Sequence, residues 1–279
     1  MSKTLEWTNG HVEMNVATLK KTCSYNYVDF GGKRKYPPAR PVEHHEFLDV
    51  LTEIASPVGE VEWEPIICTE RNALVTSWEG DPKECPIGKV VIQQFVTKAL
   101  IKDEHANGTC AAMGVSFSEK GISVAFGQNV SVCANMCVFG DNVLRTGSMK
   151  YSSMMEVINS WFREFETKAA IDRENVELLK SIGVSDGYVD NIFGELIKSA
   201  VLANEGVKES ILNVAQTGKM IRQYQKQIIE EGNPQTLWGL LNCATEEMKA
   251  TNTDQTKIWQ MHNKVSNYFM EKGLYEKLG

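Results

Sequence analysis

The hydrophobic pattern of this chain changes period near residue 148, and that switch limits the possible folds more than any other feature. Before it, short apolar stretches are broken by the turn signals Gly31-Gly32, Pro37-Pro38, Glu79-Gly80-Asp81-Pro82 and Lys120-Gly121. After it, apolar residues recur every three or four positions almost to the end. A period-two half followed by a period-3.6 half predicts an α+β protein. Residues 1–148 then form a mainly antiparallel β-rich region with one helix, and residues 149–279 a region of five or six helices.

Within the first half, Val42, Phe47, Val50, Leu51 and Ile54 share a helical face, so Arg40 to Ala55 reads as one helix stopped by Pro57. Val61, Trp63, Pro65 and Ile67 alternate with Glu60, Glu62 and Glu64, which predicts a single half-buried strand. Lys89 to Lys102 admits helix or strand, and its β-branched residues favour strand. The clearest hairpin spans Cys110 to Val132 and turns at Ser118-Glu119-Lys120-Gly121.

In the second half, Met154, Ile158, Trp161, Phe162, Phe165 and Ala169 form one wide stripe. Asp172 and Ser185 are expected to cap the next two helices, and Ile211 to Ile229 makes another. Asn233-Pro234 is expected to open a helix carrying Leu237, Trp238 and Leu241, and Asp254 to cap the last one. In that last helix Ile258, Met261, Val265 and Phe269 form one stripe, while Trp259 and Tyr268 project elsewhere. Helices apolar on more than one side need a cover. The sequence therefore predicts a homo-oligomer with its interface between residues 234 and 279.

Composition bounds location and partners. The first residues carry no apolar signal core, no run of about eighteen apolar residues occurs, and the seven scattered cysteines suit reduced thiols. A cytoplasmic protein with no membrane partner is expected. A net charge of −7 argues against a basic nucleic-acid coat, though not against a local basic patch.

Catalytic signatures are missing. No Gly-x-x-x-x-Gly-Lys-Ser/Thr, Gly-x-Gly-x-x-Gly or Gly-x-Ser-x-Gly motif occurs. Cys133 and Cys137 lack the second pair that a zinc site needs, and so read as small packing residues. His44-His45-Glu46 is no zinc-protease motif, because adjacent histidines diverge by about 100° on a helix. Glu46, Asp49 and Glu53 share a helix face that reads as solvated. No enzyme activity, cofactor or metal is expected.

One segment has binding character. Lys33, Arg34, Lys35 and Arg40 lie close to Tyr25 and Tyr27, and cations interleaved with aromatic rings suit single-stranded nucleic acid.

A resemblance enters through two motifs. Val132-Cys133-x-Asn135 follows the hairpin, with Asn129 just before it and Gly140 just after. Far downstream come Trp238, Asn242 and Thr245-Glu246 on one helix. In order and separation these resemble an uncharacterised family of phage- and plasmid-encoded proteins, over roughly residues 40 to 270. Cys243 and Cys137 depart from that family's pattern. By residue type, these motif positions read as structural, holding sheet to helices. The resemblance implies a mobile-element setting, and the missing catalytic constellations predict a non-enzymatic binding protein within it. Two partners follow: single-stranded DNA, bound or annealed by an oligomer, or a host defence protein met by an acidic face around Glu60, Glu62 and Glu64.

Overall fold

The computed structural model describes residues 11–22, 25–29, 40–72, 90–102, 109–118, 120–130, 136–137, 142–204, 210–248 and 255–278. In chain order the first elements are β1 (His11–Met14), α1 (Val16–Thr22), β2 (Tyr25–Val28), β3 (Arg40–Glu43), α2 (His44–Ala55), β4 (Glu60–Trp63) and β5 (Ile66–Asn72). The strands β6 (Val90–Lys102), β7 (Thr109–Ser118), β8 (Gly121–Val130), β9 (Met136–Cys137) and β10 (Val143–Arg145) follow. The helices α3 (Tyr151–Arg163), α4 (Phe165–Ser181), α5 (Asp186–Asn204) and α6 (Val214–Tyr224) come next. A π-helical turn over Gln225–Glu230 continues α6, and α7 (Leu237–Met248) and α8 (Gln255–Leu278) complete the chain. The protein is α+β. No described helix is long and apolar enough to cross a membrane.

The main sheet runs β1-β5-β6-β7-β8-β10, with β4 also paired to β6 and β9 to β8, while β2 and β3 form a separate two-stranded ribbon. Two compact units emerge: Met1–Glu104 with Ala112–Ala125 and Leu144–Glu164, and His105–Ala111 with Phe126–Val143 and Phe165–Gly279. Helical patterning starts near residue 148, but α3 belongs to the first unit. The stripe expected to continue through Ala169 breaks at Glu164, whose ψ of 16° ends α3.

Several sequence expectations are corrected. Arg40–Glu43 is strand, not helix: Pro41 biases Arg40 to extended backbone, and Pro41 lies opposite Tyr27 in an antiparallel pair. The single strand expected across Glu60–Ile67 is two strands. Pro65 has no N–H to give the ladder, the chain breaks there, and the phase flips, so that Ile66 is buried and Ile67 is 40% exposed. Asp172 caps nothing; it lies buried inside α4. Asn233 does not open α7. Thr236 does so instead, its Oγ1 accepting from Gly239 N at 3.1 Å and its carbonyl from Leu240 N at 3.0 Å. Asp254 lies outside the described residues.

Other expectations hold. Val90–Lys102 is strand, the hairpin pairs β7 with β8, and Ser185 Oγ accepts from Tyr188 N at 3.3 Å. At the hairpin turn Gly121 has φ 113°, and an added Cβ would lie 2.3 Å from Thr146 Oγ1, which itself accepts from Ile122 N at 2.9 Å.

The second unit buries its apolar helix faces within the chain. Val176, Leu179, Ile192, Leu241, Val265 and Phe269 belong to one core, which Leu237, Trp238 and Leu240 also join. Trp259, expected on an oligomer face, is 4% exposed. Tyr268 is half-buried and donates its hydroxyl to Glu195 at 3.0 Å. The protomer itself covers Trp259 and much of Tyr268, while Leu274 and Tyr275, in the same stretch, stay exposed.

Two stability measurements follow. Gly121→Ala should cost about 2 kcal/mol in urea unfolding, through its left-handed backbone and the collision with Thr146. Trp259→Glu should cost at least ~3 kcal/mol and melt the helical unit. A Trp259→Glu chain that keeps full stability would show that this indole is not internal.

Candidate nucleic-acid interface

The β2–β3 ribbon turns two valines inward and two aromatic rings outward. Side chains alternate along each strand, and residues directly opposite share a face. Asn26 pairs with Val42 and Val28 with Arg40, while Tyr25 pairs with Glu43 and Tyr27 with Pro41. Val28 and Val42 are buried. Tyr25 and Tyr27 point outward, 50% and 63% exposed, with ring centroids 5.3 Å apart and planes at 85°. Two large rings held in solvent on a short strand leave ring faces open to contact. By the same alternation Arg40 belongs to the inner-face series, away from the tyrosines, though it remains exposed at the ribbon's end.

A partly buried polar relay fixes the ribbon. Asn26 Nδ2 donates to the Ser118 carbonyl at 2.8 Å, and its Oδ1 lies 2.7 Å from His44 Nε2. With the amide oriented that way, Oδ1 must accept, so the His44 proton sits on Nε2. The His44 ring stacks on Phe117 at 4.0 Å and meets Phe95 edge-on at 5.3 Å. Burial, reinforced by neighbouring His45, pushes the His44 pKa from its usual 6.5 to about 3, so the ring is neutral. Where the ribbon ends, Tyr151 N donates to the Asp29 carbonyl at 2.7 Å.

Beside the tyrosines lies a shallow cleft of about 320 Å³, lined by Tyr25, Asn26, Tyr27, Lys120, Gly121, Thr146 and Gly147 among others. Lys120 is exposed, and Arg145 Nη2 reaches its carbonyl at 3.5 Å. The hairpin turn thus brings one cationic residue, Lys120, to the cleft, which sequence spacing gave no reason to group with Tyr25. Lys33, Arg34 and Lys35 lie outside the described residues, in the chain that joins β2 to β3.

No family model, characterised protein or solved structure matches the chain.

The motif residues separate. Cys133, Asn135 and Gly140 lie outside the described residues, and Asn129 on β8 faces Met136 on β9. Trp238 and Asn242, one turn apart on α7, both line a cavity of about 790 Å³ in the helical unit. Lys180 Nζ sits 5.9 Å from the Trp238 ring centroid, and Gln227 Nε2 donates to Gln223 Oε1 at 3.0 Å on the cavity wall. Thr245 is buried, and its hydroxyl donates to the Asn242 carbonyl at 3.2 Å. Thr245 therefore serves the helix, while Trp238 and Asn242 border open space.

The acidic face, the other sequence candidate, weakens, and two buried thiols are inert. Burial pushes the Cys68 and Cys243 thiols up to about 12, the reverse of an activated nucleophile. The acidic strand is partly neutralised, because Glu62 pairs with Lys102, and Glu64 with Lys98 at 3.0 Å.

The relay makes a pH prediction with a definite sign. His44 titrates near 6.5 unfolded and about 3 folded, so its contribution is complete above 6.5 and is lost as pH falls toward 3. Between pH 7 and 4.5 the wild-type chain should lose on the order of 2 kcal/mol more stability than His44→Gln. Parallel stability–pH curves for the two chains would contradict the buried neutral ring.

Proposed function

We propose that the chain is a non-enzymatic protein of a phage or mobile element that binds single-stranded nucleic acid through the β2–β3 ribbon. The observation that carries this reading is the outward Tyr25–Tyr27 pair on a ribbon locked by Asn26 and His44. Exposed aromatic rings on a rigid backbone stack on bases without ordering cost, and any base offers a π face. Lys120 on the cleft wall, with the Lys33-Arg34-Lys35 stretch in the connecting chain, supplies positive charge for phosphates. The mobile-element setting rests on the motif resemblance alone. The host-protein alternative draws less support, since lysines already engage two carboxylates of its acidic strand.

Fluorescence anisotropy with labelled oligonucleotides tests the reading. Binding should weaken steeply with salt, with a log–log slope of about −0.7 per phosphate neutralised. Tyr27→Ala should raise Kd about tenfold, in line with ~1–3 kcal/mol per stacked base. Lys33→Glu/Arg34→Glu/Lys35→Glu should abolish binding at moderate salt. Tyrosine variants that bind as tightly as wild type would remove the ribbon as the contact.

A further inference from the structure

We propose that Glu43, His45 and Glu46, at the junction of β3 and α2, form a binding site for a divalent first-row transition-metal ion. One donor atom from each residue falls within 4.8 Å of the others. Carboxylate row and metal site are distinguished by His45. Its ring is 6% exposed, and its Nδ1 is buried with no hydrogen-bond partner. That nitrogen nevertheless lies 3.3 Å from Glu43 Oε2, near enough to bond but out of alignment. A buried unsatisfied nitrogen costs free energy. With the ring proton on Nε2, Nδ1 and the Glu43 oxygen are two lone-pair donors facing one another beside a second carboxylate, and a shared cation satisfies all three.

Local geometry supports the same reading. Glu43 is the N-cap of α2, yet its side chain makes no capping hydrogen bond and lies beside His45 instead. Glu46 is the only acidic residue of the first turn. A helix N-terminus repels cations with about half a charge, which two full carboxylates outweigh. Ligand bonds of about 2.0–2.2 Å would bring the donors closer together than they stand, and Glu46 is exposed and free to swing in. One imidazole nitrogen with two carboxylate oxygens selects ions such as Zn²⁺, Mn²⁺ or Co²⁺, because Mg²⁺ and Ca²⁺ favour all-oxygen shells. Three protein ligands leave further positions open for water or an incoming oxygen. Glu43 sits opposite Tyr25, so the ion would lie on the tyrosine side of the ribbon. The site stands whether or not nucleic acid binds there.

Titration of the full chain with CoCl₂, read by visible absorption, tests this without any nucleic acid. The expected result is saturation at one equivalent, with d–d bands and no near-ultraviolet thiolate-to-cobalt band. That absence separates the site from adventitious binding by the cysteines. Glu46→Gln, at an exposed position that leaves folding intact, should weaken cobalt binding at least tenfold, and ZnCl₂ should displace the cobalt. His45→Asn should remove the bands, with circular dichroism confirming the fold. A thiolate band in the wild-type spectrum, or Glu46→Gln retaining wild-type affinity, would overturn the assignment.

Discussion

The stacking of His44 on Phe117 is the contact on which the first unit's exposed chemistry depends. A two-stranded ribbon is marginal in water by itself, since one ladder cannot offset the entropy of ordering both strands. Here the ribbon is held through Asn26, which bonds the sheet at Ser118 on one side and the first residue of α2 on the other. His44 does this only as a neutral ring, because a buried imidazolium between two phenyl groups would lack a counter-charge. Outward display of Tyr25 and Tyr27 thus follows from an inward amide and an inward imidazole. Binding surfaces held by such buried polar groups lose little entropy when a partner arrives.

Parts of this were legible in the sequence, and the rest was hidden for identifiable reasons. The hairpin at Gly121 and the strand over Val90–Lys102 were readable because a period-two pattern and β-branched residues agree there. Helix α2 was found but started four residues early, since Val42 fits the helical stripe as well as it fits the ribbon. Only the partner strand β2, pairing Val42 with Asn26, decides between them. The phase flip at Pro65 was invisible for a similar reason: an alternating run survives a two-residue break in letters though not in space. As for the site, Tyr25 and Tyr27 stood out by residue type and spacing. Asn26, between them, did not, because a single asparagine in an aromatic run carries no signal until His44 is beside it. Lys120 belonged to a turn 95 positions away from Tyr25, a distance no local pattern spans.

The helical unit shows how one small residue shapes a cavity. Gly239 follows Trp238 in the first turn of α7, and a Cβ there would lie 2.7 Å from the Pro234 carbonyl and 3.2 Å from Ile228. Glycine therefore lets α7 press against both the preceding loop and the π-helical turn. That turn widens the helix by one residue per bond, and such segments persist mainly where packing or function needs them. The Trp-Gly-x-x-Asn spacing places the indole and the Asn242 side chain on the wall that results. Trp238 and Asn242 thus share one wall, on which Lys180 and Gln227 come from other elements.

Net charge and local charge act over different ranges, so an acidic chain is compatible with the anionic partner proposed above. At physiological salt the screening length is about 8 Å, so the overall −7 is felt weakly by a strand already in contact with the ribbon. Among the described residues Lys98, Lys102, Lys180 and Lys272 each pair with a glutamate, which leaves the net charge as it is. During approach from solution, unscreened repulsion slows encounter. After contact, cations within a few ångströms of the phosphates dominate. Raising salt from very low values should therefore speed association while weakening the complex already formed. On the proposed reading, a polyanion without bases would meet the same cations but gain nothing from Tyr25 and Tyr27, so the rings would supply the discrimination.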